Sequence, residues 1–188
     1  MEGKAQKWEK PMNVICFGDS NTYGYDPRSY FGGRYPKESR WVDLLAEKTG
    51  WQITNLGENG RCVPAAAVGL PANTDLCIVM LGTNDLLQGS TPEQTAQRMR
   101  RFLQGLSVGP QKVLLIAPPP MTPGEWVQGE GLVEASRELA GCYRTLAEEL
   151  GTRFADAGAW NIPLAYDGVH FTGQGHRTFA EELYKEIA

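Results

Sequence analysis

Leu76-Cys77-Ile78-Val79-Met80-Leu81-Gly82-Thr83-Asn84-Asp85 runs from six consecutive apolar side chains straight into a polar turn. Side chains of a strand alternate between its two faces, so a strand that is apolar at every position is covered on both. A parallel sheet between two layers of helices provides that cover. The polar turn then lies at the carboxyl end of a buried strand, which is where such sheets bind ligands.

The chain on either side fits this reading. Residues 13–17 (NVICF), 51–56, 112–117 (KVLLIA) and 152–156 read as four further strands, and Pro118-Pro119-Pro120 ends the third of them. Ser39 is placed to cap a helix through Trp41, Leu44, Leu45 and Lys48 that stops at Gly50. Thr91-Pro92-Glu93-Gln94 is a helix start with Thr as cap, Pro at the first position and Gln closing a capping box. That helix carries Met99, Phe102, Leu103 and Leu106 on one face. Residues 132–150 form a long helix stopped by Gly151, and Thr172 begins a last helix with Phe179, Ala180, Leu183 and Ile187 as its buried stripe. Strands alternating with helices predict an α/β fold, a five-stranded parallel sheet with helices on both sides.

At 188 residues, 41% hydrophobic and 21% charged, the chain has the length and composition of one domain with a substantial core. Residues 1–11 are polar and read as a loose arm with Trp8 as its tether, leaving a single domain over 12–188. The net charge of −4 argues against a nucleic-acid partner, which needs a basic surface. No apolar run approaches the ~20 residues of a membrane span. The N-terminus lacks the apolar core of a secretory signal. The four cysteines, Cys16, Cys62, Cys77 and Cys142, are widely spaced and form no C-x-x-C pair, so no zinc cluster is visible. Cys16 and Cys77 lie inside strand-like runs and read as small buried hydrophobes. These features point to a reduced, cytoplasmic setting.

Three polar turns follow strands and fall at one edge of the sheet: Gly18-Asp19-Ser20, Asn59-Gly60, and Gly82-Thr83-Asn84-Asp85. Ser20 at a strand end can project its hydroxyl and aim its N–H at a developing oxyanion. Asn84 can offer a side-chain amide and Gly60 a backbone N–H to the same charge. Taken singly, each is also explained as turn chemistry, and Asp85 reads as the turn-stabilising partner of Asn84. A serine nucleophile needs a base titrating near neutrality, and the chain holds two histidines. His170 has Asp167 three residues before it, close enough for the carboxylate to orient the imidazole. His176 has no such carboxylate and opens a helix whose dipole disfavours its cation, so it reads as structural. The nucleophile-elbow pattern G-x-S-x-G is absent.

With these residues in this order the chain resembles the SGNH hydrolases, the GDSL esterase/lipase superfamily. Gly18-Asp19-Ser20 matches the block that carries the nucleophile, and residues 55–60 match the block whose glycine donates a backbone N–H, here Gly60. Gly82-Thr83-Asn84-Asp85 matches the block with the side-chain donor, and Asp167-Gly168-Val169-His170 the block with acid and base. Residues 17–25, 80–85 and Pro118-Pro119-Pro120 resemble the arylesterase/acyltransferase subgroup, from which this chain departs by its short segment between Gly60 and Leu76.

The resemblance implies a flavodoxin-like three-layer α/β/α sandwich. It implies Ser20, Asp167 and His170 as catalytic residues, with Ser20, Gly60 and Asn84 forming the oxyanion hole, and no metal or organic cofactor. The expected reaction is hydrolysis of short-chain acyl or aryl esters through an acyl-enzyme on Ser20. Carbohydrate O-acetyl esterase, lysophospholipase or thioesterase action are alternatives, as is a binding module without turnover. The expected partner is a small-molecule ester, and a homo-oligomer stays open. Asp19, Tyr23, Tyr25, Met121, Trp126 and Trp160 are candidate substrate-binding residues near strand ends, against the plainer reading of aromatic and apolar residues as core.

Overall fold

The computed structural model describes residues 11–66 and 68–187. Apart from residue 11, the expected arm with Trp8 therefore lies outside the described residues. Strand β1 (Asn13–Gly18) pairs in parallel with β2 (Gln52–Gly57) on one side and β3 (Leu76–Met80) on the other. Strands β4 (Val113–Ala117) and β5 (Arg153–Asp156) continue the sheet, also in parallel, in the order β2-β1-β3-β4-β5. The five-stranded parallel sheet read from the sequence is the sheet found. The chain leaves β1 for one edge and returns to the opposite side of β1, so strand order reverses between β1 and β3. The register pairs Gly18 with Met80 there, and the crevice above these two strand ends is the place such folds use for ligands.

Alternation along the inner strands builds two cores. Val14, Cys16, Leu76, Ile78, Met80, Leu114 and Ile116 face one side, packed with Trp41 and Leu45 of α2 (Trp41–Thr49) and Phe179 and Leu183 of α6 (Gly173–Ile187). Ile15, Phe17, Cys77, Val79 and Leu115 face the other, packed with Met99 and Phe102 of α4 (Pro92–Gln104) and Leu139 and Tyr143 of α5 (Glu130–Leu150). Each fully buried large apolar side chain contributes roughly 1.5–3 kcal/mol relative to exposure, so these two layers rather than helix propensity hold the helices in place. Among the described residues no helix is long and apolar enough to cross a membrane.

The helix starts divide into one that agrees with expectation, one that is refined and one that differs. Thr91 caps α4 with both halves of the capping box formed. Thr172 lies just before α6, and its hydroxyl accepts from the Gly175 N–H at 2.9 Å. Ser39 does not cap α2: it ends a 3-10 turn (Lys37–Ser39), and Arg40 takes the capping position with no side-chain cap bond. Arg40 instead pairs with Asp43 at 2.7 Å, and Trp41, the first helical residue, sends its indole N–H to the Asn21 carbonyl at 2.9 Å. Fixing Trp41 on that carbonyl sets where the helix begins. Edge strand β2 starts one residue later than expected, and Trp51 just before it is buried in the core.

Candidate active site

Two short helices invisible to periodicity carry two of the three polar turns. The first, α1 (Ser20–Tyr23), begins as soon as β1 ends. Asp19 caps it, its carboxylate accepting from the Asn21 N–H at 3.0 Å. Ser20 is the first helical residue, so its own N–H lies outside the intrahelical ladder. The helix folds tightly onto the strand ends. A Cβ on Gly57 would fall on the backbone nitrogen of Tyr23, so only glycine at the end of β2 lets α1 seat there. The Asn55 amide adds a bond to the Thr22 carbonyl at 2.8 Å.

The histidine arrives from the far end of the chain. Asp167 Oδ1 accepts the N–H groups of Val169 and His170, each at 2.9 Å, which shapes a tight loop. Oδ2 lies 2.7 Å from His170 Nδ1, and His170 Nε2 lies 3.0 Å from Ser20 Oγ. A proton on Nδ1 facing the carboxylate leaves the Nε2 lone pair for the serine hydroxyl. Ser20, Asp167 and His170 are all buried. Burial pushes the Asp167 carboxyl up, but the bonds from the His170 ring, the His170 N–H and the Val169 N–H outweigh it and hold the group below the ordinary carboxylate range. The orienting charge is thus present at neutral pH.

A second segment clamps this loop. Thr122 N–H donates to the Gly168 carbonyl at 3.0 Å, Glu125 N–H to Tyr166 at 3.2 Å, and Trp126 N–H to Asp167 at 3.1 Å. Gly168 has φ +80 and its missing Cβ is where the Thr122 carbonyl sits, so the close approach requires glycine.

Asn84 lies in α3 (Thr83–Leu87), directly above β3. Its amide donates to the Arg61 carbonyl at 3.1 Å, leaving one of its two N–H bonds for a ligand and tying the residue after Gly60 to the same edge. Gly60 is exposed with φ +73, and a Cβ there would meet nothing within 4 Å, so the turn's backbone and not packing asks for glycine. Asp85 is fully buried; it accepts the Val63 N–H at 2.9 Å and pairs with Arg98 at 3.0 Å, a structural role, but one that ties distant segments together rather than capping its own turn with Asn84.

The six pocket candidates separate. The Tyr25 ring stands 4.6 Å from the His170 ring, and the Trp126 ring 4.9 Å from it edge-on, with Trp126 49% exposed. These two flank the His170 ring. The Tyr23 ring lies under the Arg34 guanidinium at 4.2 Å. Met121 and Trp160 are core: Met121 is buried in the layer of α4 and α5, and Trp160 packs on Phe179 in the opposite one. Both follow strand ends in sequence, but apolar side chains there turn inward to close the core. Asp19 is buried under α1, and burial pushes its carboxyl up to about 6 against the Asn21 N–H, His170 and Arg61, which favour its charge.

His176 is structural, as expected, but for a different physical reason. It is fully buried between Tyr35 and Phe171. Burial first, then Arg40, drive its pKa down to about 3. Desolvation, not the helix dipole, keeps it neutral.

Two contributors were missed from sequence. Arg61 donates to the carbonyls of Gly18 at 3.1 Å and of Leu56, and lies over Phe17 at 4.4 Å, binding the ends of β1 and β2 together. Asn21 joins the serine helix to the histidine loop through its amide. Asn21 directly follows Ser20, but its partners lie some 150 residues away and leave no local signal. A cleft of about 540 Å³ between Gln94, Gln97, Arg100 and Cys142 includes none of the candidate site residues.

A model of the GDSL-like Lipase/Acylhydrolase family matches residues 16–178. A solved structure from Agrobacterium tumefaciens, of a protein assigned as an arylesterase, is 31% identical with a TM-score of 0.78, covering 94% of this chain and 98% of that one. The aryl esterase of M. smegmatis is 27% identical with a TM-score of 0.79, at the same coverage of 94% and 98%. A carbohydrate acetylesterase from Sinorhizobium meliloti is 27% identical with a TM-score of 0.78, again covering 94% and 98%. Among curated proteins the sequence finds no match.

Proposed function

The chain belongs to the GDSL-like lipase/acylhydrolase family, a carboxylic ester hydrolase of SGNH type, and on that premise we propose that it cleaves short-chain acyl esters, aryl esters among them, through an acyl-enzyme on Ser20. The observation that carries the reading is the continuous chain Asp167–His170–Ser20, with separations of 2.7 and 3.0 Å, at the sheet's crevice. His170, oriented by Asp167, takes the Ser20 proton as Oγ attacks the ester carbonyl. The oxyanion is held by the N–H groups of Ser20 and Gly60 and by the free N–H of Asn84. His170 then gives its proton to the leaving alcohol, and the C–O bond to that alcohol breaks. Water, deprotonated by His170, attacks the acyl carbonyl; the bond from the acyl carbon to Ser20 Oγ breaks, the carboxylic acid leaves, and His170 returns the proton to Ser20 Oγ. No metal or organic cofactor enters these steps.

Tyr25 and Trp126 against His170 form a compact aromatic wall, which favours a small acyl group with a planar leaving group. The likeness to a carbohydrate acetylesterase supports O-acetyl sugars as a second substrate class, with the same acyl group and a different alcohol. The test is hydrolysis of p-nitrophenyl acetate, butyrate and octanoate and of an acetylated sugar. Rates that fall with chain length fit the reading, and octanoate hydrolysed as fast as acetate contradicts it. Asp167→Asn is expected to lower kcat by ~10²–10⁴-fold, since the imidazole loses its orienting charge.

A further inference from the structure

The hydrogen bonds around Asn21 describe a residue that no step above uses. Asn21 is nearly completely buried, beside Ser20 in α1. All four of its polar groups are engaged. Its N–H meets Asp19 Oδ1 at 3.0 Å, and its carbonyl receives the Trp41 indole N–H at 2.9 Å. Its Nδ2 donates to the Val169 carbonyl at 3.1 Å, and its Oδ1 accepts the Phe171 N–H at 2.9 Å. Val169 and Phe171 are the residues on either side of His170. One planar amide therefore grips the backbone just before and just after the histidine, while its own backbone is fixed from Asp19 and Trp41.

We propose that Asn21 is a positioning residue that sets the Ser20 Oγ to His170 Nε2 separation by locking the nucleophile helix to the backbone flanking the base. The inference rests on the Ser20–His170 reading. Its physical content is geometric. The backbone of His170 is already held by Asp167, through its N–H, and by Ala165, whose N–H reaches the His170 carbonyl at 2.7 Å. Those bonds fold the base loop onto itself but do not reference it to α1. The Asn21 amide does so at two points, and two points fix orientation as well as distance. Exposed loops and strand ends elsewhere tolerate ångström-scale drift, whereas a reacting pair does not: a misplacement of about 1 Å can cost ~100-fold in rate.

The test uses Asn21→Leu, similar in volume and lacking both bonds, and Asn21→Ser, smaller and polar. Steady-state kinetics on p-nitrophenyl acetate well below the melting temperature should show kcat lower by ~10–100-fold, with KM within about 3-fold of wild type. Ser20 labelling by a fluorophosphonate should slow in proportion to kcat. Loss through KM with kcat retained, or full kcat in a folded variant, overturns the inference. Should neither variant fold, hydrogen exchange in the wild-type protein decides: slow exchange at the Phe171 amide is required, and exchange at the rate of an open loop overturns it. Activity surviving in Ser20→Ala would instead defeat the proposed function. An essential Ser20 together with indifferent Asn21 variants would defeat this inference alone.

Discussion

His176 should make the protein lose stability in mild acid, by an amount that can be worked from its surroundings. The imidazole is fully buried against the rings of Tyr35 and Phe171, and its pKa falls from the ordinary 6.5 to about 3. Burial is the main cause; Arg40 adds to it, and Asp26 opposes weakly. Nδ1 accepts the Trp41 N–H at a long 3.5 Å, and Nε2 finds no partner among the described residues. The sign follows from proton counting. Between pH 6.5 and about 3 the unfolded chain binds a proton here that the folded chain refuses. Stability from this residue is complete above the unfolded value and is lost as pH falls toward the folded one. Each pH unit in that window costs about 1.4 kcal/mol, so the step from pH 7.5 to 4.5 costs ~3 kcal/mol. Against the ~5–15 kcal/mol of a typical domain this is a large fraction. The assay is urea unfolding of wild type and His176→Asn at both pH values. Asn keeps an acceptor for Trp41 and never ionises. Packing losses in the variant cancel in the pH difference, so its stability should fall by ~3 kcal/mol less than that of wild type. Equal falls in the two proteins would refute the reasoning.

Two further outcomes follow from contacts around the site. Gly57→Ala places a methyl on the backbone of α1, so Ser20 is displaced and turnover should drop by ~10-fold or more while far-UV circular dichroism stays native; unaltered kcat would show that the helix can shift freely. Trp126→Ala removes one aromatic flank of His170 and should raise KM for aryl esters by ~3–10-fold with kcat little changed; an unchanged KM would place the leaving group elsewhere.

Much of the fold was legible because its signals are local. Strands buried on both faces write continuous apolar runs, as in β3 and β4, and Gly50, Gly151 and the Thr91 box mark helix ends by their own backbone chemistry. Helices α1 and α3 escaped because four or five residues cannot show a helical period. Ser39 misled because a capping side chain is only one way to start a helix, and tertiary anchoring of Trp41 overrode it. In the site, Ser20, Asp167, His170 and Asn84 stand out as chemistry at strand ends, and the fold brings all four to one edge. Met121 and Trp160 occupy the same kind of sequence position yet fill the cores, since position in sequence does not tell which way a side chain turns. Asn21 and the 122–126 clamp act through backbone partners distant in sequence, and no composition or period encodes those pairings.

The central claim is that Ser20 is the nucleophile. The most direct test is to treat the protein with a fluorophosphonate, measure residual hydrolysis of p-nitrophenyl acetate, and locate the adduct by peptide mass, with Ser20→Ala in parallel. The account predicts one adduct per chain on Ser20, activity lost in step with labelling, and an unlabelled, folded, inactive Ser20→Ala. An adduct on another residue, or an active Ser20→Ala, would contradict it.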